Sequence, residues 1–361
     1  MGKISKYQLV MDWIHEQIDT GVLHNGEKLE TEAQLSARFG FSRQTIRQAL
    51  GELEKEGTIS RVQGSGSYVR GNPAGETAAP LSRSVTIMRS YTDSYIFPQI
   101  LQAMVEVLQE EGYSTRILFT NNRRQTEKEI LTNLLRSASR DPIIAEPVTS
   151  ALPNLNAPLY RELLSRGIPV LFFNTWYPEL DIPHVSLDDR AAGRMVTEHL
   201  ISLGHRRIGC LMKNDDGQGI LRYRGYMEAL SDAGIGLDES IVCWIDSTGL
   251  KHSLNPCEWV LNRLQDCTGI VCYNDEAAYL LTQACARRKI KVPDQLSLVS
   301  IDNSRLTQLN QVPLTSAAHP MGKLGEKAAR NLLEMIRHPG FDANYEFAPS
   351  LEVRSSAARV P

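Results

Sequence analysis

Residues 28–70 read KLETEAQLSARFGFSRQTIRQALGELEKEGTISRVQGSGSYVR. Thr31 followed three positions later by Gln34 has the form of a capping box, so a helix is predicted to start there and to stop at Gly40. Ser42 caps the next helix, which carries Ile46, Ala49, Leu50 and Leu53 along one face. Upstream, Tyr7, Val10, Ile14 and Ile18 recur at helical spacing, and Gly21 stands where a C-terminal glycine is expected. After Gly57, two strand-like pieces (58–62 and 67–70) flank the small-residue turn Gln63-Gly64-Ser65-Gly66. Three short helices followed by a small-tipped hairpin form a winged helix-turn-helix, placed at residues 1–70.

On the third helix Gln44, Arg47 and Gln48 point away from the apolar stripe, with Arg43 on its flank. Arg and Gln suit bidentate hydrogen bonds to guanine and adenine edges in a major groove. Ser42, Thr45 and the helix N-terminus suit phosphates. Residues 1–70 hold nine Lys/Arg and nine Asp/Glu, so the total charge of this segment is uninformative. Its distribution is not: residues 33–50 contain Arg38, Arg43 and Arg47 with no acid, and residues 58–75 contain Arg61 and Arg70 with none. Charge gathered on one face steers a protein to phosphates even when the total cancels. The expected contacts with double-stranded DNA are Arg38, Ser42, Arg43, Gln44, Thr45, Arg47, Gln48 and Arg61, with Gln63 and Gly66 at the wing. The alternative is a helical cap with a merely solvated polar face. SRQTIRQALGELEKEG (42–57) and QGSGSYV (63–69) resemble the GntR family of winged-helix regulators. Glu30 departs from that family's usual Pro, which predicts a looser start to the second helix.

The chain has 361 residues, 42% hydrophobic and 22% charged, with a net charge of −3. It is too long for one ordinary domain and has the composition of a soluble globular protein. Apolar runs of membrane-spanning length and a signal-peptide core are both missing, so no membrane partner and a cytoplasmic location are expected. Six cysteines, all in the C-terminal half and none as C-x-x-C, read as buried reduced thiols, and neither a metal nor a cofactor is called for. Phosphate-loop, nucleophile-elbow and zincin motifs do not occur, so an enzyme finds little support.

Residues 71–83 have two prolines and no periodicity, the composition of a flexible linker that would span roughly 20 Å as a coil. Beyond it, strand-like pieces at 85–88, 116–119, 142–145, 170–173, 208–211, 269–272 and 298–301 alternate with helix-length stretches. Alternation of this kind predicts an α/β body with parallel sheets, and the strand count calls for two lobes in residues 84–361. Ligands of such folds bind outside the C-terminal ends of the strands. Polar side chains stand there: Glu146, Asn174, Asn274 and Asp302, with Arg222 near the start of a helix. Carboxylates, amides and Arg bind vicinal hydroxyls bidentately, and Tyr95, Phe97, Trp176, Tyr177 or Trp244 would cover a sugar face. The competing reading is that these Asp and Asn are helix caps.

HVSLDD (184–189), HLISLGHRRI (199–208), RYRGYMEAL (222–230), VCYNDEAA (271–278), LSLVSIDN (296–303) and LTSAAHPMGKLGEKA (314–328) resemble the lactose/galactose-repressor family and periplasmic sugar-binding proteins. A GntR-like head on this type I periplasmic-binding-protein-like body is the composition of the arabinose-repressor family, and EPVTSALPNLNAPLY (146–160) and TDSYIFPQI (92–100) look like that subgroup. The resemblance implies ligand contacts at Arg222, Asn274, Asp302 and His319, with Glu146, Asn174 and Tyr95 as second choices. His319 stands where many relatives have Gln. It further implies a homodimer that represses from a pseudo-palindromic operator and is released by a small-molecule sugar, L-arabinose first. Another pentose, a hexose or a nucleoside is the alternative effector. A solute carrier would not explain the head, and a sugar-active enzyme would need a catalytic constellation.

Overall fold

In the computed structural model α1 (Lys6–Asp19) buries Val10, Met11 and Ile14. The structure describes residues 5–19, 22–23, 26–62, 65–69, 80–91, 95–137, 139–252 and 257–360. Gly21, Gln63, Gly64, Arg70 and residues 71–79 of the expected linker lie outside the described residues. Helix α2 (Glu32–Phe39) opens on the expected capping box: Gln34 N donates to Thr31 Oγ1 (3.4 Å) and Thr31 N donates to Gln34 Oε1 (2.8 Å). It closes on Gly40 in the left-handed conformation (φ 66°), which a residue with a Cβ adopts reluctantly. The looser start expected from Glu30 does not occur. The cap is complete, and Glu30 is held by Arg38 through two nitrogens, at 3.0 and 2.5 Å. Helix α3 (Arg43–Lys55) is capped by Ser42, whose hydroxyl accepts from Thr45 N, and buries Ile46, Ala49, Leu50 and Leu53. These four join Leu29, Leu35, Val10, Ile14 and two strand residues in one core. Strands β1 (Ile59–Val62) and β2 (Gly66–Val69) form the antiparallel wing, with Ile59 paired to Val69 and Val62 to Gly66.

The body, taken by itself, is two α/β lobes. The first contains β3 (Ser84–Arg89), α4 (Phe97–Glu110), β4 (Ser114–Phe119), α5 (Arg124–Arg136), β5 (Ile143–Ala145), α6 (Ala157–Ser165), β6 (Val170–Phe173) and β7 (His184–Leu187). The second contains α7 (Asp189–Ser202), β8 (Ile208–Lys213), α8 (Gly217–Asp232), β9 (Val242–Ile245), α9 (Ser247–His252), α10 (Glu258–Arg263), β10 (Gly269–Cys272), α11 (Asp275–Arg287), β11 (Ser297–Asp302), α12 (Leu306–Leu309) and β12 (Thr315–Ala318). The chain then returns to the first lobe with α13 (Met321–Arg337) and β13 (Tyr345–Phe347), and to the second with β14 (Ser350–Glu352). The first sheet has order β13-β7-β6-β5-β3-β4, all parallel. The second has order β14-β12-β11-β10-β8-β9 and is parallel except where β14 pairs antiparallel with β12. Three crossings therefore join the lobes, next to residues 188, 319 and 348. Strands buried on both faces explain the continuous apolar runs such as Val170–Phe173.

All seven expected body strands form, and β7, β9, β12, β13 and β14 are additional. The six cysteines are buried and unpaired, all in the second lobe. Helices α7 and α8 pack closely because Gly193 and Gly225 sit at their contact, where an added Cβ would overlap the Arg222 and Arg190 carbonyl oxygens. That approach brings Asp189 on α7 to Arg222 on α8.

Candidate functional site

On α3, Arg43, Gln44, Arg47 and Gln48 are exposed, as the helical spacing requires. Arg47 Nε lies 2.8 Å from a Glu32 carboxylate oxygen. Arg61 donates to the Arg47 carbonyl (3.1 Å) and lies 3.6 Å from Glu54. Arg38 packs its guanidinium over Trp13 at 5.0 Å while paired with Glu30. Gly66 holds φ 129° at the base of the wing turn, a conformation that favours glycine. Arg38, Arg47 and Arg61 thus already have acidic partners. Exposed pairs of this kind are worth little and exchange readily for phosphate.

In the body, a cavity of about 90 Å³ lies between the lobes at the C-terminal ends of the strands. Its lining is rich in polar side chains, which suits a small polar ligand. Of the expected contacts, Glu146, Asn174, Tyr95, Asn274 and Asp302 line it. Arg222 and His319 do not, and stand behind the wall.

Asp302 ends β11 with φ 107°, a left-handed conformation that costs a residue with a side chain about 1–3 kcal/mol and persists only where surroundings enforce it. The enforcement is visible. Asp302 pairs with Ala318 of β12, and Asn303 N donates to Ser316 Oγ (3.0 Å). The buried Arg222 donates from Nε to Asp189 (2.7 Å), from Nη1 to the Tyr273 carbonyl (2.6 Å) and from Nη2 to Asp302 (3.0 Å). Burial pushes the Asp189 carboxyl up to about 7, against the opposing pull of Arg222. Asp275, at the head of α11, is likewise raised to about 7, by burial and by nearby Asp302, although Ser300, Ser316 and the Ser304 amide donate to it.

A second chain of polar groups runs along the first lobe. Ser90 N donates to Glu146 (2.8 Å), Asn174 Nδ2 donates to Glu146 (3.2 Å), and His319 Nε2 lies 3.3 Å from Asn174 Oδ1. With Asn174 Nδ2 spent on Glu146, its oxygen faces His319, so Nε2 carries the proton and Nδ1 is bare. Nδ1 is buried with no hydrogen-bond partner among the described residues. Burial, with help from Arg222 and against Asp302, lowers the His319 pKa to about 4, so the ring is neutral at pH 7.

Hydrogen bonds among the described residues bridge the lobes around the cavity. Tyr95 OH donates to Asp302 (2.8 Å) and accepts from Asp275 N (3.2 Å), Asn122 Nδ2 donates to Ser247 Oγ (3.2 Å), and Gly217 N donates to Ser150 Oγ (2.9 Å). Phe97 and Tyr95 supply aromatic lining. Trp176, Tyr177 and Trp244 do not line the cavity. Trp176 stacks on His184 at 3.9 Å, Tyr177 is held in the first-lobe core by Glu127, and Trp244 packs against Tyr223. Asn274 meets both sequence readings at once: it lines the cavity, and its Oδ1 caps α11 by accepting from Ala277 N (2.9 Å).

Sequence reasoning missed Lys213, Asp216, Gln218, Tyr273, Asn122 and Ser247 in the lining. The strand-end rule that found Asn274 reaches Lys213 and Asp216 once β8 is extended by two residues. Ser247 follows β9, a strand that was not expected. Lys213 Nζ lies 2.6 Å from Asp216, which also accepts from Tyr273 OH (2.7 Å). Burial would lower the Lys213 pKa, but Asp216 and Asp215 overcome it, and the ammonium is raised above its ordinary range. Lys213 and Arg222 are thus neutralised by built-in carboxylates, which suits an uncharged polyhydroxyl ligand.

Comparison with known proteins agrees with this division of labour. Residues 6–69 match the model for bacterial regulatory proteins of the gntR family, and residues 197–357 match a periplasmic binding protein-like domain. The chain is 35% identical to an arabinose metabolism transcriptional repressor of Geobacillus stearothermophilus over 99% of both chains. It is 34% identical to a protein of the same name from Halalkalibacterium halodurans, over 99% of this chain and 97% of that one. Among solved structures, the transcriptional regulator CelR-cellobiose complex shares the fold, with a TM-score of 0.67 and 22% identity over 87% of this chain and 90% of that one. A head that matches one regulator family, a two-lobed body around a polar cavity, and end-to-end identity above 30% lead to one conclusion: the chain belongs to the family of arabinose metabolism transcriptional repressors.

Proposed function

We propose that the chain is a sugar-responsive repressor, not an enzyme, acting in the cytoplasm as a homodimer on operator DNA and released by L-arabinose. The domain division that goes with this reading is a DNA-binding head at 1–70, a linker at 71–83 and a sensing and dimerising body at 84–361. Supporting the effector is the full-length match to two repressors named for arabinose metabolism. This observation carries the reading, because it spans head and body together.

The cavity supplies the chemistry. Asp302, Asn274, Glu146 and Asn174 offer acceptors and donors for hydroxyls, with Phe97 and Tyr95 against a ring face. An acidic surplus beside neutralised Lys213 and Arg222 disfavours sugar phosphates. Arg222 and His319 act on the ligand through Asp302 and Asn174 in this conformation. Sugar binding favours lobe closure, and release follows only if the closed state holds the heads worse for DNA than the open one. In the head, Arg43, Gln44, Arg47 and Gln48 read bases, while Ser42, Thr45, Arg38, Arg61, Gln63 and Gly66 position the domain on the backbone. The test is fluorescence anisotropy on a duplex selected by the protein from a random library. L-arabinose should lower affinity by about tenfold or more, with D-ribose, D-xylose, D-galactose and adenosine inactive. Retention of the duplex at saturating arabinose would refute the reading.

A further inference from the structure

The cavity lies at the C-terminal ends of the first-lobe strands, whereas the chain enters that lobe at the opposite end, through Leu81, Ser82 and Arg83. Two successive residues there are fixed to the lobe. Ser82 Oγ donates to Asp141 Oδ1 (2.5 Å), Ser82 N donates to the Arg140 carbonyl (3.1 Å), and Ser84 N donates to Ser82 Oγ (3.1 Å). Arg83 lays its guanidinium over Tyr113 at 5.3 Å, reaches the Glu111 carbonyl at the end of α4 (3.4 Å), and accepts on its own carbonyl from Ser114 N (2.9 Å).

Asp141 is the centre of this arrangement. Its carboxylate is almost fully buried and also accepts from Ser139 Oγ, Thr86 Oγ1 (3.1 Å) and Arg116 Nη2 (2.5 Å). One carboxylate thereby ties residue 82 to the starts of β3, β4 and β5. Strand β3 runs from this point to the cavity, six residues and about 20 Å, paired on both sides. At its far end Ser90 N is bonded to Glu146. A buried rod with one end in the sugar cavity and the other at the linker moves as the lobe moves.

We propose that Asp141 is a positioning residue for signal transmission: by clamping Ser82 it makes the linker exit a rigid part of the first lobe, so that lobe closure displaces the linker. This rests on the sugar-responsive reading above. Without the clamp, residues 81–83 come free of the lobe and absorb the displacement.

The experiment compares Asp141→Ala, Ser82→Ala and Ser82→Thr with the wild type in the full-length protein. Calorimetry should give L-arabinose affinities within about twofold of wild type for all three, since none touches the cavity. The arabinose-induced loss of operator affinity should fall from about tenfold to under about twofold in Asp141→Ala and Ser82→Ala, and return in Ser82→Thr, which restores the hydroxyl. A purely structural defect would not be rescued by one hydroxyl. Normal release by both alanine variants would overturn the proposal. Amide hydrogen exchange decides the clamp without sugar. In Asp141→Ala the Ser82 and Ser84 amides should exchange about tenfold faster or more, while Ile87 stays protected. Unchanged protection there would overturn it too. A wild type silent to arabinose would refute the effector instead, leaving the exchange result to stand on its own.

Discussion

The head and the cleft use the same pairing, Arg with Asp or Glu, under opposite conditions. Arg47 of α3 and Glu32 of α2 meet in solvent, with the Arg47 side chain 70% exposed. Arg222 meets Asp189 and Asp302 in the body with a side chain 1% exposed. An exposed pair of this kind can give up its partner at little cost. The buried triad repays desolvation only while all its hydrogen bonds are made. The head's pairs are therefore free to exchange, and the cleft holds one geometry, down to the strained backbone of Asp302.

Breaking the triad should give the largest effect. Arg222→Ala leaves two buried carboxylates facing each other and should cost the body about 3–5 kcal/mol in urea unfolding; a loss below about 1 kcal/mol would make the triad dispensable. Next is the response of stability to acid. The neutral His319 of the folded body has a pKa near 4, below its unfolded value of about 6.5. The unfolded chain binds the extra proton between those values, so His319's contribution is complete above pH 6.5 and is lost as pH falls to 4. The loss is about 3 kcal/mol. Asp189 and Asp275, raised to about 7, act in the other direction: their contribution is complete at low pH and lost as pH rises through 7. The wild-type profile mixes the two. His319→Gln isolates one, and the wild type should lose stability relative to it between pH 6.5 and 4, whereas parallel profiles would mean that His319 is not buried and neutral.

On the head, Arg47→Ala should weaken operator binding about tenfold or more and leave calorimetric sugar binding unchanged. Equal operator affinity would remove Arg47 from the contacts. The smallest effect is Ser42→Ala, which deletes the α3 cap and should lower head stability by about 1 kcal/mol in the melting of residues 1–70 within the whole protein; no change would show that the Thr45 amide finds another acceptor.

The contrast also explains what could be read in advance. Helix boundaries in the head follow from near neighbours in the chain, so Thr31-Gln34 and Ser42 mark starts and Gly40 marks an end. The seven expected body strands are apolar enough to stand out. Strand β12 (TSAA) is not, because its Thr315 and Ser316 are buried against Ser356 and Asp275, partners forty residues away in either direction. The polar residues of the cleft were legible wherever a strand end was, which is why Asp302 and Asn274 were found and Ser247 was not. Their roles were less so. Nothing local distinguishes Arg222 behind the wall from Asp302 in it, since burial is decided by the close contact of α7 with α8. Glu30 teaches a related point: an unusual residue before the α2 cap was compensated by Arg38, eight positions on.

The central claim is that Asp302 presents the cavity's polar edge to an uncharged pentose. Calorimetric titration of the full-length protein and of Asp302→Asn with L-arabinose tests it most directly. One sugar bound per chain in the micromolar range, weakened about hundredfold by the substitution, is the predicted result, because a hydrogen bond to a buried charge is worth about 1.5–3 kcal/mol. Arabinose bound equally well by both proteins would contradict it.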